Sequence, residues 1–181
     1  MSDLAYHRSM EHPDPISAKV PAGIQEPFRT VLVAAGDEWI SYLRDDLVSL
    51  VLFGSVARGC ATQLSDIDLL VVAHGLPRSL ADRRRPLLDR LRHLREERDL
   101  PSVPWNLLVK TPEEARHHSP IYLDIVEDGV LLHDRGQFFA GVLAAMRSRM
   151  QALGSRRIFL EDGSWYWDLK PDFRFGEVVE I

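Results

Sequence analysis

The sequence predicts an α/β fold in which a small mixed sheet is flanked by helices. Two short apolar runs, residues 50–53 and 69–72, have the length and aliphatic content of buried strands. Stretches with helical periodicity precede, separate and follow the strand candidates, an alternation that is typical of α/β domains. With 181 residues, 45% of them apolar, the chain can bury one well-packed core and is too short for two full domains.

The first half of the chain gives five elements in order. Residues 1–26 contain several prolines and no hydrophobic periodicity, which indicates a flexible arm. A helix is predicted to begin at Pro27, because apolar side chains then recur at helical spacing. The strand of residues 50–53 ends at a Gly-Ser pair, and a short helix near residues 56–58 follows. The next strand covers residues 66–73.

The second half continues the alternation. A helix is predicted to begin after Ser79, and Pro86 either kinks it or marks its first turn. This helix is rich in arginine, and its interleaved acidic residues favour a solvated face over a phosphate-binding face. Residues 103–109 form the next strand candidate. A further helix, a strand and a last helix are predicted within residues 119–150.

The segment after Gly154 is unusually aromatic and predicts a β-hairpin around Asp162-Gly163. Two interpretations are compatible with it: a docking surface for a partner, or a hairpin of which one face covers the domain's own core. We therefore divide the chain into an arm (1–26), a folded domain (27–153) and an aromatic hairpin tail (154–181). The aromatic residues of the tail are Trp165, Tyr166, Trp167, Phe173 and Phe175.

The most informative pattern lies between the first two predicted strands. Gly54 and Ser55 end the first strand, and after ten intervening residues Asp66 and Asp68 open the second. The period of two in a strand puts both carboxylates on the same face. A turn or helix cap at Ser65 is the alternative interpretation, which the continuous apolar strand that follows disfavours.

Two neighbouring carboxylates repel each other unless a cation lies between them. Oxygen-rich pairs of this kind suit Mg²⁺, which keeps several waters and is shared between carboxylates and nucleotide phosphates. A glycine backbone can approach a phosphate closely, and the hydroxyl of Ser55 can donate to it. The pattern therefore predicts a metal–triphosphate site.

This string resembles the signature of the minimal nucleotidyltransferases of the DNA polymerase β superfamily. Gly54, Ser55, Asp66 and Asp68 match its four most diagnostic positions at the family's spacing. The resemblance implies a polymerase-β-like fold in which the Gly-Ser turn, with Arg58, binds the nucleotide. It also implies that the two aspartates bind two Mg²⁺ ions.

The third carboxylate of the family is replaced here. Counted back from the helix start at Thr111, the family's usual third Asp falls at Asn106, whose amide cannot accept a proton near neutral pH. Glu113 and Glu114 are poor substitutes, because a capping box gives them a role in starting a helix. Three hypotheses stay open: an active enzyme with a weaker base, a metal site that recruits an acid such as Asp99, and a nucleotide-binding protein without catalysis.

We favour retained activity, because all four diagnostic residues are present. The resemblance then implies Mg²⁺-dependent transfer of AMP from ATP to an acceptor hydroxyl, with catalytic positions at Asp66, Asp68 and Asn106. Small standalone proteins with this signature resemble the antitoxin half of HEPN/minimal nucleotidyltransferase systems, which adds AMP to a tyrosine of the partner nuclease. A HEPN-type partner is therefore the expected acceptor.

Two rival functions remain. A binding module would hold nucleotide or partner without chemistry, and Asn106 is the residue in its favour. An aminoglycoside-type nucleotidyltransferase would share the metal site but usually needs an additional helical domain, for which the chain is short.

Composition limits the partners and the compartment. A formal net charge of −5 gives no general attraction to nucleic acid or anionic membranes, which argues against a polymerase that tracks a strand. The single cysteine, Cys60, excludes an intrachain disulfide. With neither a long apolar span nor a signal-peptide pattern, the expected location is the cytoplasm, and an oligomer is compatible with the sequence.

Overall fold

The structure is a computed structural model that describes residues 15–179, and it shows a four-stranded sheet, helices on both faces and a two-stranded hairpin. The strands are β1 (Leu47–Phe53), β2 (Ile67–Ala73), β3 (Trp105–Lys110), β4 (Val130–Asp134), β5 (Arg156–Phe159) and β6 (Trp165–Asp168). The helices are α1 (Ile16–Lys19), α2 (Phe28–Leu43), α3 (Gly54–Ala57), α4 (Leu80–Arg98), α5 (Pro112–Arg116), α6 (Ile121–Asp128) and α7 (Phe138–Leu153). Short 3₁₀ turns cover Arg44–Asp46 and Arg135–Gln137.

The main sheet is mixed, as the sequence predicts. Its strand order is β3-β2-β1-β4, with β2 parallel to β3 and with β1 antiparallel to both β2 and β4. Every residue of β1 is buried, because this inner strand is covered by helices on both faces. The β5–β6 hairpin forms a separate sheet and confirms the hairpin prediction.

Alternation along β1 divides the core into two layers. Leu50 and Leu52 point to the face covered by α1, α2 and α4. Val51 and Phe53 point to the opposite face, where they pack with buried side chains of α5, α6 and α7. The sheet is therefore the middle layer of three, and its ends are the places where side chains can face solvent.

The flexible-arm prediction is wrong for residues 15–26, while residues 1–14 lie outside the described part of the chain. Ile16, Val20 and Ile24 are all buried in the core beside α2. Gly36 of α2 allows this packing, since a Cβ there would lie 2.9 Å from Cγ1 of Ile16. Three branched apolar residues spaced by four carried the signal, which the surrounding prolines obscured.

The solvated-face interpretation of α4 is wrong for Arg83. This arginine is buried, and its guanidinium makes a two-pronged ion pair with Glu114, at 2.6 and 3.0 Å. The hydrogen bonds from Arg83 hold the pKa of Glu114 at about 2. Glu114 also completes the predicted capping box with Thr111. Pro86 lies inside α4, which begins after the predicted Ser79 cap.

Within residues 15–179, no helix combines the length and the apolar character that crossing a bilayer demands.

If residues 15–26 belong to the core, Ile16→Ala will destabilise the protein. The side chain is fully buried, so its loss should lower the free energy of unfolding by about 2–5 kcal/mol in urea denaturation. Ser17→Ala is the matched control, because Ser17 is exposed on the same helix and should change stability by less than about 0.5 kcal/mol. Equal effects of the two substitutions would contradict the placement of this segment in the core.

Candidate active site

The predicted site residues meet where β1 ends and where β2 and β3 begin. Asp68 lies opposite Phe53 in the antiparallel β1–β2 pair and opposite Asn106 in the parallel β2–β3 pair. Gly54 and Ser55 follow Phe53 directly and open α3. Sequence-distant residues are thus brought to one corner of the sheet by strand register alone.

Gly54 packs closely against the carboxylate of Asp68. Gly54 has a φ of +74°, and a Cβ on it would lie 2.0 Å from Oδ2 of Asp68. No side chain fits that space, so only glycine allows the turn to pack against the carboxylate. The sequence interpretation assigned this glycine to phosphate approach, and the structure adds contact with Asp68 as a second reason.

Asn106 lies beside the carboxylate pair. Its Nδ2 donates to Oδ1 of Asp68 at 2.8 Å, at the position that the count back from Thr111 proposed for the family's third acid. Across residues 15–179, no three His, Cys, Asp or Glu side chains group so that they could hold a metal. Asp99 accordingly forms no such group with Asp66 and Asp68.

The electrostatics of Asp68 indicate a need for positive charge. Burial raises the pKa of Asp68 above its usual value, and the neighbouring charge of Asp66 acts in the same direction. The hydrogen bond from Asn106 and the charge of Arg58 oppose this rise without cancelling it. Two adjacent half-buried carboxylates, one of them with a raised pKa, suit a hard divalent cation. Such a cation retains several bound waters and can also bind phosphate oxygens.

Arg58 lies at the far end of the Gly-Ser helix and is held by the C-terminal hairpin. As the residue that caps α3, it donates its backbone N–H to the carbonyl of Gly54 at 3.2 Å. Its guanidinium lies over the ring of Trp165, 4.6 Å from the ring centre. The carboxylate of Asp128 lies 4.0 Å away.

The hairpin is anchored on α6 by a cluster that sequence reasoning missed. The indole N–H groups of Trp165 and Trp167 both donate to Oδ1 of Asp124 at 3.0 Å. Arg157 contacts Asp124 at 3.3 Å and Asp128 at 2.9 Å. A signal was present in the sequence, because two acids four residues apart lie on one helix face and two tryptophans two residues apart lie on one strand face.

One face of the hairpin thus covers the domain, as one interpretation of the tail proposed. The other face carries Tyr166, which is 53% exposed. Phe159 is paired with Trp165 on the covering face, but its side chain is 66% exposed. Further large apolar side chains of the tail are also exposed: Leu160, Phe173, Phe175 and Val178.

The raised pKa of Asp68 predicts a cost in stability. Since this pKa is higher in the folded protein than in the unfolded chain, the ionised carboxylate destabilises the metal-free fold at pH 7. Asp68→Asn should therefore melt at a higher temperature than the wild type in EDTA at pH 7. The difference should shrink as the pH falls through the raised pKa, because the wild-type carboxyl then binds a proton. Glu161→Gln, at an exposed position, is the control for the loss of one negative charge. A lower melting temperature for Asp68→Asn at pH 7 would contradict this reading.

Comparisons with known proteins agree with this geometry. Residues 38–132 match the family model described as a nucleotidyltransferase domain. A Methanocaldococcus jannaschii protein named "Putative protein adenylyltransferase MJ1305" is 30% identical over 119 residues, which cover 65% of this chain and 78% of that protein.

Solved structures with a similar fold include a toxin–antitoxin crystallised with AMP-PNP, at 22% identity over 65% of this chain and 88% of that chain, with a TM-score of 0.43. The MntA–HepT toxin–antitoxin structure gives 20% identity over 67% of this chain and 88% of that chain, with a TM-score of 0.41. On the strength of the family match, which runs from within α2 into β4 and includes the whole candidate site, this chain belongs to the nucleotidyltransferase domain family.

Proposed function

We propose that this nucleotidyltransferase transfers AMP from ATP to a hydroxyl group of a partner protein in a Mg²⁺-dependent reaction. The observation that carries the proposal is the contact of the Gly54 turn with the Asp68 carboxylate, since it joins a phosphate-binding turn to a metal-binding pair. The name of the Methanocaldococcus jannaschii relative, which describes a protein adenylyltransferase, supports a protein as the acceptor.

Each site residue has a role in this proposal. Asp66 and Asp68 hold the metal, for which two ions are expected from the family resemblance, and Ser55 positions the β- and γ-phosphates through its hydroxyl. When bound, Mg²⁺ supplies charge stabilisation for the attacking and leaving oxygens. Arg58 adds a fixed positive charge at the end of the same helix.

The amide of Asn106 restricts the acceptor. Because its Nδ2 donates to Asp68, and an amide takes up no proton near neutral pH, the site lacks a strong base at this position. A phenol loses its proton far more readily than an aliphatic alcohol, with a pKa of about 10. A tyrosine hydroxyl is therefore the acceptor that reacts most readily at a site without a strong base.

A HEPN-type protein is the proposed partner, which would make this chain the antitoxin of such a pair. The support for this partner is the resemblance of the signature from Gly54 to Asp68 to that of minimal nucleotidyltransferase antitoxins.

The second candidate function is a nucleotide-binding module without chemistry. The observation in its favour is again Asn106, because an amide fills the place of the third acidic ligand.

The metal requirement is tested by calorimetry of ATP binding. Since Asp66 and Asp68 repel a triphosphate in the absence of a cation, ATP should bind in Mg²⁺ and lose at least about tenfold in affinity in EDTA. The double variant Asp66→Ala, Asp68→Ala should abolish the metal-dependent part of ATP binding.

The chemistry is tested separately, by transfer of labelled AMP from ATP to a HEPN-type protein. Equal affinity with and without metal would contradict the proposed site, and ATP binding without transfer to any acceptor would favour the binding module.

The contact between Gly54 and Asp68 can be separated from backbone strain by a matched pair of variants. Gly54 and Gly59 both have positive φ, at +74° and +70°, but a Cβ on Gly59 would meet nothing within 4 Å. Gly54→Ala should abolish Mg–ATP binding, because the new methyl group displaces the Asp68 carboxylate. Gly59→Ala should retain binding and cost about 1–2 kcal/mol of stability from strain alone. Loss of Mg–ATP binding in both variants would show that backbone strain abolishes binding, and not the contact with Asp68.

Asn106→Asp is expected to increase AMP transfer. The substitution adds a third anionic ligand and a possible base beside Asp68, and general-base assistance is worth about 10²–10⁴ in rate. It also removes the hydrogen bond to Asp68, so the metal-free variant should melt below the wild type and recover in Mg²⁺. The assay compares rates with labelled ATP, with Asp66→Ala as the inactive control. An unchanged rate would mean that the chemistry needs no base at this position.

A further inference from the structure

The C-terminal hairpin lies outside the family match and contacts the candidate nucleotide site. The match ends at residue 132, whereas β5 begins at Arg156. Of the hairpin side chains, Trp165 reaches the guanidinium of Arg58, which caps the helix opened by the Gly-Ser turn. The hairpin thereby contacts the phosphate end of the proposed site through the stacking of Trp165 on Arg58.

Trp165 is itself held by contacts with α6 and with Arg157. Its indole N–H donates to Asp124 at 3.0 Å, and the guanidinium of Arg157 lies 5.1 Å from its ring centre. Asp124 also accepts from the indole of Trp167, so Trp165 belongs to a hydrogen-bonded group that is anchored on α6.

The way Arg58 is held leaves its charge available. Its ion pair with Asp128 is long, at 4.0 Å, whereas the same carboxylate oxygen lies 2.9 Å from the guanidinium of Arg157. An aromatic face orients a guanidinium without supplying a counter-charge or occupying its N–H groups. An arginine held in this way keeps donors for a planar, bidentate contact with phosphate.

We propose that Trp165 is a positioning residue, which holds Arg58 for contact with the triphosphate and so makes the hairpin part of the nucleotide site. This inference rests on the proposed function, since it requires ATP at the Gly54–Asp68 corner. It assigns a role to the tail that differs from core cover and from partner docking.

The test is a double-mutant cycle on Mg–ATP affinity, measured by calorimetry with the full chain. Trp165→Leu and Trp165→Phe both lose the indole N–H, but only Phe keeps an aromatic face under Arg58. Trp165→Leu should weaken binding about twofold to thirtyfold, which corresponds to the loss of a cation–π contact. Trp165→Phe should lie closer to the wild type. In an Arg58→Gln background, which already binds Mg–ATP more weakly, Trp165→Leu should change the affinity less than about twofold.

Two controls separate this role from stability. Tyr166→Ala changes the outward, exposed neighbour on the same strand and should leave affinity unchanged. Thermal melts of all variants confirm that each is folded at the temperature of the titration.

Three results would overturn the inference. Trp165→Leu could weaken Mg–ATP binding equally in the wild-type and Arg58→Gln backgrounds, or Trp165→Leu and Trp165→Phe could have the same affinity. The third is that Arg58→Gln binds Mg–ATP as tightly as the wild type. Each of these results would leave the proposed function intact. Failure of the wild type itself to bind Mg–ATP would overturn the proposed function together with the inference.

Discussion

The close approach of the Gly54 backbone to the Asp68 carboxylate is the constraint on which the rest of the site depends. It requires β1 to end at the level where β2 begins, which the pairing of Phe53 with Asp68 achieves. It also requires a positive φ at the turn, which sets the direction of α3. The position of Arg58 follows from both requirements, because it caps this one-turn helix.

The same contact lowers the stability of the metal-free fold, because it keeps the Asp68 carboxylate of the candidate metal site partly buried. Asp68 lies at the start of a strand that is otherwise fully buried, and burial raises its pKa. A fold selected for stability alone would neutralise this carboxylate, whereas the protein holds a second acid, Asp66, one residue away from the strand's first buried position. The cost is tolerated because the four-stranded sheet behind the site is packed on both faces. Its anchoring strand, β1, is buried along its whole length.

The features that the sequence predicted depend on local chemistry. The strand of residues 69–72, the Gly-Ser turn, the Thr111 capping box and the Asp162-Gly163 hairpin are each specified by neighbouring residues. The place of Asn106 was also predicted, since counting from a helix start fixes a strand position.

What the sequence did not reveal depends on contacts between distant residues. Trp165 and Asp124 are 41 positions apart, and the Arg83–Glu114 pair spans 31. No local pattern shows which of the seven arginines in α4 is buried or which of the acids on α6 accepts from the indoles. Ile16 packs against Gly36 of α2, a contact that its own segment does not show, and the surrounding prolines obscured its regular spacing with Val20 and Ile24.

The central claim, that the metal and the nucleotide lie at the Gly54–Asp68 corner, is tested most directly by paramagnetic broadening of amide NMR signals with Mn²⁺ in place of Mg²⁺. The account predicts that, with ATP present, broadening is centred on the amides of Gly54, Ser55 and Asp68 and is removed by EDTA. Broadening centred instead on the second acidic cluster, at Asp124 and Asp128 of α6, would contradict it.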